Sequence, residues 1–176
     1  MRAICPPYEL VFVPVDLTPD QKGGIAELAI AAKASMLGIV VSRPMAEGSR
    51  YDLVFDMGGP LMRVQCKWAT RIGETINVSC RTSRRDGTGH VRSTYSAEEV
   101  DAIAAYCLPL DECWLIPIAD VAGRKALRLR LTPAKNNQRA GVTIAEPYRL
   151  GAIAQLEERR HGMAEVGGSS PPGSTE

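Results

Sequence analysis

Glu27, Asp52, Gln65 and Lys67 combine oxygen donors with a single cation at spacings that allow them to meet. Gln65 and Lys67 stand two apart in Arg63-Val64-Gln65-Cys66-Lys67. On an extended strand they share one face, and Cys66 points the other way, into the core. Asp52 lies near the start of the preceding extended run. Asp52 and the Gln65 side-chain carbonyl are hard oxygen donors suited to Mg²⁺, and Glu27 can add a third, directly or through water. A divalent ion held there would acidify a water and polarise a phosphodiester. Lys67 would stabilise the charge developing on phosphate, or help orient the attacking water. The same spacing also describes an aspartate ending a turn and the solvent face of an amphipathic strand. Spacing alone does not separate the two.

The elements that must position these residues follow from the local pattern. Thr18-Pro19-Asp20 predicts a helix start, with Thr18 as cap and Pro19 as the first helical residue. The helix runs through Ile25 to Leu37, with Ile25, Leu28, Ala29, Ala32 and Met36 on one side, and Gly38 closes it. Ile39 to Val41 reads as a short strand. Tyr51 to Asp56 is a second, with Leu53 and Phe55 on one face and Asp52, Val54 and Asp56 on the other. Gly58-Gly59-Pro60 turns the chain, and Leu61 to Trp68 returns as the other arm of a hairpin. Ile76 to Thr82 supplies a fourth strand, and Ser83 to Gly89 reads as a loop. Ser96-Ala97-Glu98-Glu99 has the form of a capping box, predicting a second helix through Val100, Ile103, Ala104 and Cys107 that ends before Pro109. Cys113 to Ile118 is a buried strand, Leu127 to Leu131 an edge strand, and Pro133 to Gln138 a loop. The order is that of an α/β layout with a mixed sheet.

An ordered set of segments resembles a known family. Lys22-Gly23-Gly24-Ile25-Ala26-Glu27, Leu37 to Pro44, Tyr51-Asp52-Leu53-Val54 and Arg63 to Lys67 come first. Tyr95 with Val100-Asp101, Tyr106, Trp114 to Ile118 and Asn136-Asn137-Gln138 follow. Together they resemble the PD-(D/E)XK endonucleases, nearest to the intron-encoded homing branch, with archaeal Holliday-junction resolvases as more distant relatives. The resemblance implies a restriction-endonuclease-like core, a mixed central sheet flanked by helices, over residues 20–150, after a lead-in at 1–19. It implies that Glu27, Asp52, Gln65 and Lys67 are catalytic, with Asp52, Gln65 and Glu27 on Mg²⁺ and Mn²⁺ as substitute. The implied activity is hydrolysis of phosphodiester bonds in double-stranded DNA by a homing or restriction-type enzyme. A structure-selective, junction-resolvase-like nuclease is the alternative, as is a DNA-binding protein of a mobile element whose site has decayed. One active site per chain implies a homodimer or tetramer where both strands are cut. Gln65 departs from the Glu or Asp of the wider family, and the homing branch shares its Gln-x-Lys. The amide keeps an oxygen for the metal and removes one negative charge.

The bulk properties agree with one domain. The chain has 176 residues, 45% of them apolar, enough for a single core. No apolar run approaches the roughly 20 residues that span a bilayer, and no signal peptide is read at Met1 to Leu10, so a cytoplasmic protein without membrane contact is expected. Five cysteines, an odd number without CxxC spacing, are expected to be reduced and to act as small apolar residues. Net charge is +1, but from Arg63 to Arg92 seven basic residues face two acidic ones. Arg81, Arg84, Arg85 and Arg92 in this stripe are candidates for phosphate contacts, or else a solvated basic loop. His90 and His161 are not expected to be catalytic. Residues 151–176 predict a short helix, Ala152 to Arg160, and then a disordered Gly/Ser/Pro tail. Ile153 to Arg159 and Gly168 to Pro171 also resemble the D-arm and T-arm of a bacterial tRNA gene read as protein, which suits a mobile-DNA setting.

Overall fold

The structure, a computed structural model, describes residues 16–46, 48–86, 89–133 and 143–154, without the side chains of 83–92. The predicted tail beyond residue 154, the loop at 134–138, Cys5 and His161 lie outside the described residues; residues 150–154 are helical.

Helix α1 (Pro19–Met36) starts as its sequence dictates. Thr18 accepts the Gln21 backbone N–H, and the Gln21 side chain accepts the Thr18 N–H, a reciprocal capping box. Gly38, at φ 81°, supplies the left-handed turn beyond the helix. The buried stripe differs from the predicted one. Ala26, Ile30 and Ala34 are fully buried, whereas Leu28 and Met36 are 69% and 84% exposed. The helix is apolar on several sides, so periodicity does not settle which stripe meets the sheet. The narrow alanine-rich stripe wins because it lets helix and sheet approach closely.

Strands β1 (Val40–Ser42), β2 (Leu53–Asp56) and β3 (Met62–Ile72) form an antiparallel run, with Leu53 opposite Val64 and Phe55 opposite Met62. The second half of β3 turns back into β4 (Thr75–Ser79), which pairs with β9 (Ala126–Arg130), and β9 ends beside the two-residue β10 (Thr143–Ile144). On the other side of β3 lies β7 (Ala102–Cys107), parallel to it, followed by antiparallel β8 (Glu112–Pro117) and the short helix α2 (Ile118–Val121). The result is a mixed, mostly antiparallel eight-stranded sheet with helices against it, the restriction-endonuclease-like layout expected.

β9, expected as an edge strand, is paired on both sides, by β4 and β10, and two further expectations are corrected. The segment after Ser96 is not a helix. Glu99 does accept the Ser96 N–H, and Val100 donates to the Ser96 carbonyl, so the first turn forms. Ala102 to Cys107 then becomes strand β7, buried along its whole length. Ala102, Ala104 and Tyr106 enter the core beneath α1, and Ile103, Ala105 and Cys107 enter the core on the opposite face. A strand covered on both faces loses the polar alternation that marks a strand in sequence. Arg63 fixes its start: its backbone N–H and guanidinium bond the Asp101 carboxylate at 2.7–3.0 Å, and Asp101 N–H donates to the Arg63 carbonyl. Second, Ser83 to Gly89 is not simply a loop. β5 (Arg81–Asp86) and β6 (Gly89–Thr94) pair as a separate two-stranded ribbon. Cys66, Cys80, Cys107 and Cys113 are buried, packed as small apolar residues.

Candidate active site

The site lies where β2 stops pairing with β3. The last paired residues are Leu53 and Val64, and Asp52 N–H still reaches the Val64 carbonyl at 3.0 Å. Beyond that point β3 has a backbone donor, Cys66 N–H, that β2 no longer covers. The Asp52 carboxylate takes it at 2.8 Å, and the same oxygen accepts the Gln65 side-chain N–H₂. A backbone group the ladder leaves over thus fixes the orientation of an acid. Val64 and Cys66 face the core under α1, so Gln65 and Lys67 share the opposite face of β3. Gln65 is buried, with 9% exposure, and its amide also lies 3.4 Å from the Cys66 carbonyl.

Glu27 comes from α1, one residue after the buried Ala26, and lines one cleft of about 460 Å³ with Asp52, Arg43, Tyr51 and Ser49. Burial raises the pKa of Glu27, and the neighbouring charge of Asp52 raises it further; Arg43, ion-paired to Glu27 at 3.3 Å, opposes this. Burial likewise raises the pKa of Asp52, against the pull of the Cys66 N–H, Lys67, Gln65 and Arg43. Two carboxyls whose charged forms burial disfavours, in one cleft, suit a divalent cation, which would favour both charged forms. Among the described residues no cluster of three or more His, Cys, Asp or Glu forms; a metal here would draw on two carboxylates and, with its amide turned, the Gln65 oxygen. These are hard oxygen donors, a set that fits Mg²⁺ with water completing its shell.

Lys67 lies close enough for its charge to act on Asp52, and its ammonium donates to the Tyr95 hydroxyl at 2.9 Å. The four expected residues are therefore gathered: Glu27 and Asp52 in one cleft, Gln65 bonded to Asp52, and Lys67 on the Gln65 face. Arg81 is partly buried at the base of the ribbon, which also carries Arg84, Arg85, Arg92 and His90.

A family model described as PD-(D/E)XK endonuclease matches residues 17–151. The chain belongs to the PD-(D/E)XK endonuclease family. The fold of this PD-(D/E)XK endonuclease is similar to a solved structure of a bacterial homing endonuclease, I-Ssp6803I. The two are 26% identical, with a TM-score of 0.63, over 85% of this chain and 99% of that one. No curated protein matches the chain. No helix among the described residues is long and apolar enough to cross a membrane.

Two neighbours of the site were given no role in it by sequence reasoning. Arg43, 69% exposed on its side chain, holds Glu27. Tyr95 meets Lys67. Arg43 stands within a segment that resembles the family and Tyr95 is itself one of the residues that carry the resemblance, but nothing in their spacing to Glu27 or Lys67 signals a contact across the fold.

Proposed function

We propose that this nuclease is a divalent-metal-dependent endodeoxyribonuclease of homing or restriction type, hydrolysing phosphodiester bonds in double-stranded DNA. Glu27, Asp52 and the Gln65 carbonyl would hold Mg²⁺, with Mn²⁺ as substitute. When bound, the metal supplies a more acidic water and a polarised phosphate. Asp52 orients the site because its carboxylate is anchored to the β3 backbone. Gln65 must rotate its amide to offer Oε1, since its N–H₂ now faces Asp52. Lys67 supplies a fixed positive charge for the phosphate oxygens as negative charge develops. The family's nuclease activity implies DNA as substrate, and the resemblance to a homing endonuclease supports the finer type.

The observation that carries this reading is the Asp52 carboxylate, joined to Gln65 and Cys66 N–H beside Glu27, with Lys67 on the same strand face as Gln65. Arg81, Arg84, Arg85 and Arg92 contact DNA phosphates in this proposal. Pairing of Arg81 with Thr94, Ser83 with Arg92 and Arg85 with His90 sets positions 81, 85 and 92 on one face of the ribbon. One site per chain makes cutting of both strands the work of a homodimer or tetramer.

The test is cleavage of plasmid DNA and of synthetic four-way junctions with Mg²⁺ or Mn²⁺, with Asp52→Ala and Lys67→Ala alongside. Both variants are expected to lose at least about 100-fold in single-turnover rate, the scale of removing a group that stabilises transition-state charge. Cleavage by both at the wild-type rate sinks the assignment. Cleavage of junctions alone moves the enzyme to the structure-selective class.

A further inference from the structure

We propose that Tyr95 is the positioning residue for Lys67, acting through its hydroxyl, and that Arg50 and Glu99 hold Tyr95 in place for that task; this rests on the nuclease reading above. A lysine ends a chain of four rotatable bonds, and nothing in β3 itself fixes where its ammonium sits. Here it is fixed from outside the strand. Tyr95, only 6% exposed, follows β6 directly, and its hydroxyl accepts from Lys67 Nζ at 2.9 Å. The ammonium also lies 5.0 Å from the centre of the Tyr95 ring. On the same ring, the Arg50 guanidinium carbon lies 5.4 Å from the centre. Arg50 in turn is clamped by both Glu99 oxygens, at 2.8 and 2.9 Å. One of these oxygens also accepts the Ser96 N–H at 3.2 Å. The abortive helix turn at Ser96–Glu99 therefore has a use: it anchors the arginine that backs the tyrosine.

The chemistry follows from the donor count. A lysine ammonium has three N–H donors and no acceptor, so the tyrosine oxygen must accept one of them. That leaves two N–H groups for a phosphate oxygen and a water. Tyr95 keeps its own proton and need not touch substrate. Losing the hydroxyl leaves the ring, its packing and its attraction for the two cations, but frees the ammonium to wander. Misplacing a charge that must meet a developing oxyanion slows the chemical step more than it weakens DNA binding.

Tyr95→Phe tests this in two readouts. In protein labelled with ¹⁵N-lysine, the Lys67 ammonium should give a sharp proton–nitrogen signal, assigned by its absence in Lys67→Arg and broadened or lost in Tyr95→Phe. In cleavage, Tyr95→Phe should lose about 10–100-fold in single-turnover rate at saturating enzyme, the scale of one hydrogen bond to a charged group. Its DNA Kd and thermal midpoint should stay near wild type, which a merely structural tyrosine would not produce. A retained Lys67 signal overturns the proposal. So does a wild-type cleavage rate in Tyr95→Phe while Asp52→Ala and Lys67→Ala are inactive. If Asp52→Ala and Lys67→Ala both cut normally, the site assignment has failed instead, whatever the signal reports about the tyrosine contact.

Discussion

At the scale of single residues, the site holds its acids at a cost to the fold. Burial raises the pKa of Asp52, and burial with the Asp52 charge raises that of Glu27. A carboxyl with a folded pKa above its unfolded one binds protons more readily when folded. Stability then rises as pH falls through the folded value, and the penalty is complete once both forms are ionised at higher pH. Metal-free protein should therefore gain stability as pH drops from neutral into the range of these raised pKa values. Asp52→Asn should be more stable than wild type at neutral pH in chelator and should flatten that gain, as read by urea denaturation. A less stable Asp52→Asn protein at neutral pH would contradict this. Gln65→Glu works in the other direction. It removes the donor that Asp52 now accepts from and adds a like charge, so metal-free stability should fall by about 1–3 kcal/mol. Mn²⁺ should bind more tightly in titration calorimetry and restore the lost stability by mass action. Unchanged Mn²⁺ affinity would remove Gln65 from the metal shell. That Gln65 and Lys67 share a face was legible from strand alternation, whereas their grouping with Asp52 and Glu27 was legible only through the family resemblance. Tyr95 and Arg43 were not, because their contacts depend on how distant elements pack.

At the scale of elements, β7 shows why the sequence misleads. Ala-Ile-Ala-Ala-Tyr-Cys after a capping signal reads as helix, because alanine favours helix and the capping residues do form their turn. The strand is imposed by its neighbours: β3 on one side and β8 on the other supply hydrogen bonds, and both faces find a core. The β2–β3 hairpin and β8 were readable from local pattern and turns. The ribbon was missed because its charges and glycines resemble a loop. The alanines of β7 also set how closely α1 approaches, since Ala104 shares a core with Ala26, Ile30 and Ala34. Ala104→Leu should overpack this layer and destabilise the protein by about 1–3 kcal/mol in chemical denaturation. It should also depress cleavage, because the displaced helix carries Glu27. Full stability in that variant would mean the layer has slack that the buried alanines deny.

At the scale of the whole molecule, one sheet serves two purposes. The half containing β1, β2, β3, β7 and β8 positions the candidate site, and the β4–β9–β10 extension carries much of the second core. The ribbon belongs to neither half, since among the described residues β5 and β6 pair only with each other. If Arg81, Arg84, Arg85 and Arg92 are changed together to Ala, DNA affinity should fall. The slope of log K against log salt should flatten by about 0.9 for each phosphate that is no longer neutralised. The thermal midpoint should hardly move, and an unchanged salt slope would remove the ribbon from the DNA interface. The ribbon's separate pairing also bears on how such an enzyme changes over time. The chain leaves the main sheet after β4 and returns at β7, and closing a longer loop between fixed ends costs only a logarithmic increment of entropy. Insertions, deletions and substitutions there are expected to leave the β3–β7 register intact. A lineage could exchange one target preference for another by redrafting this arm while the hydrolytic centre is inherited unaltered.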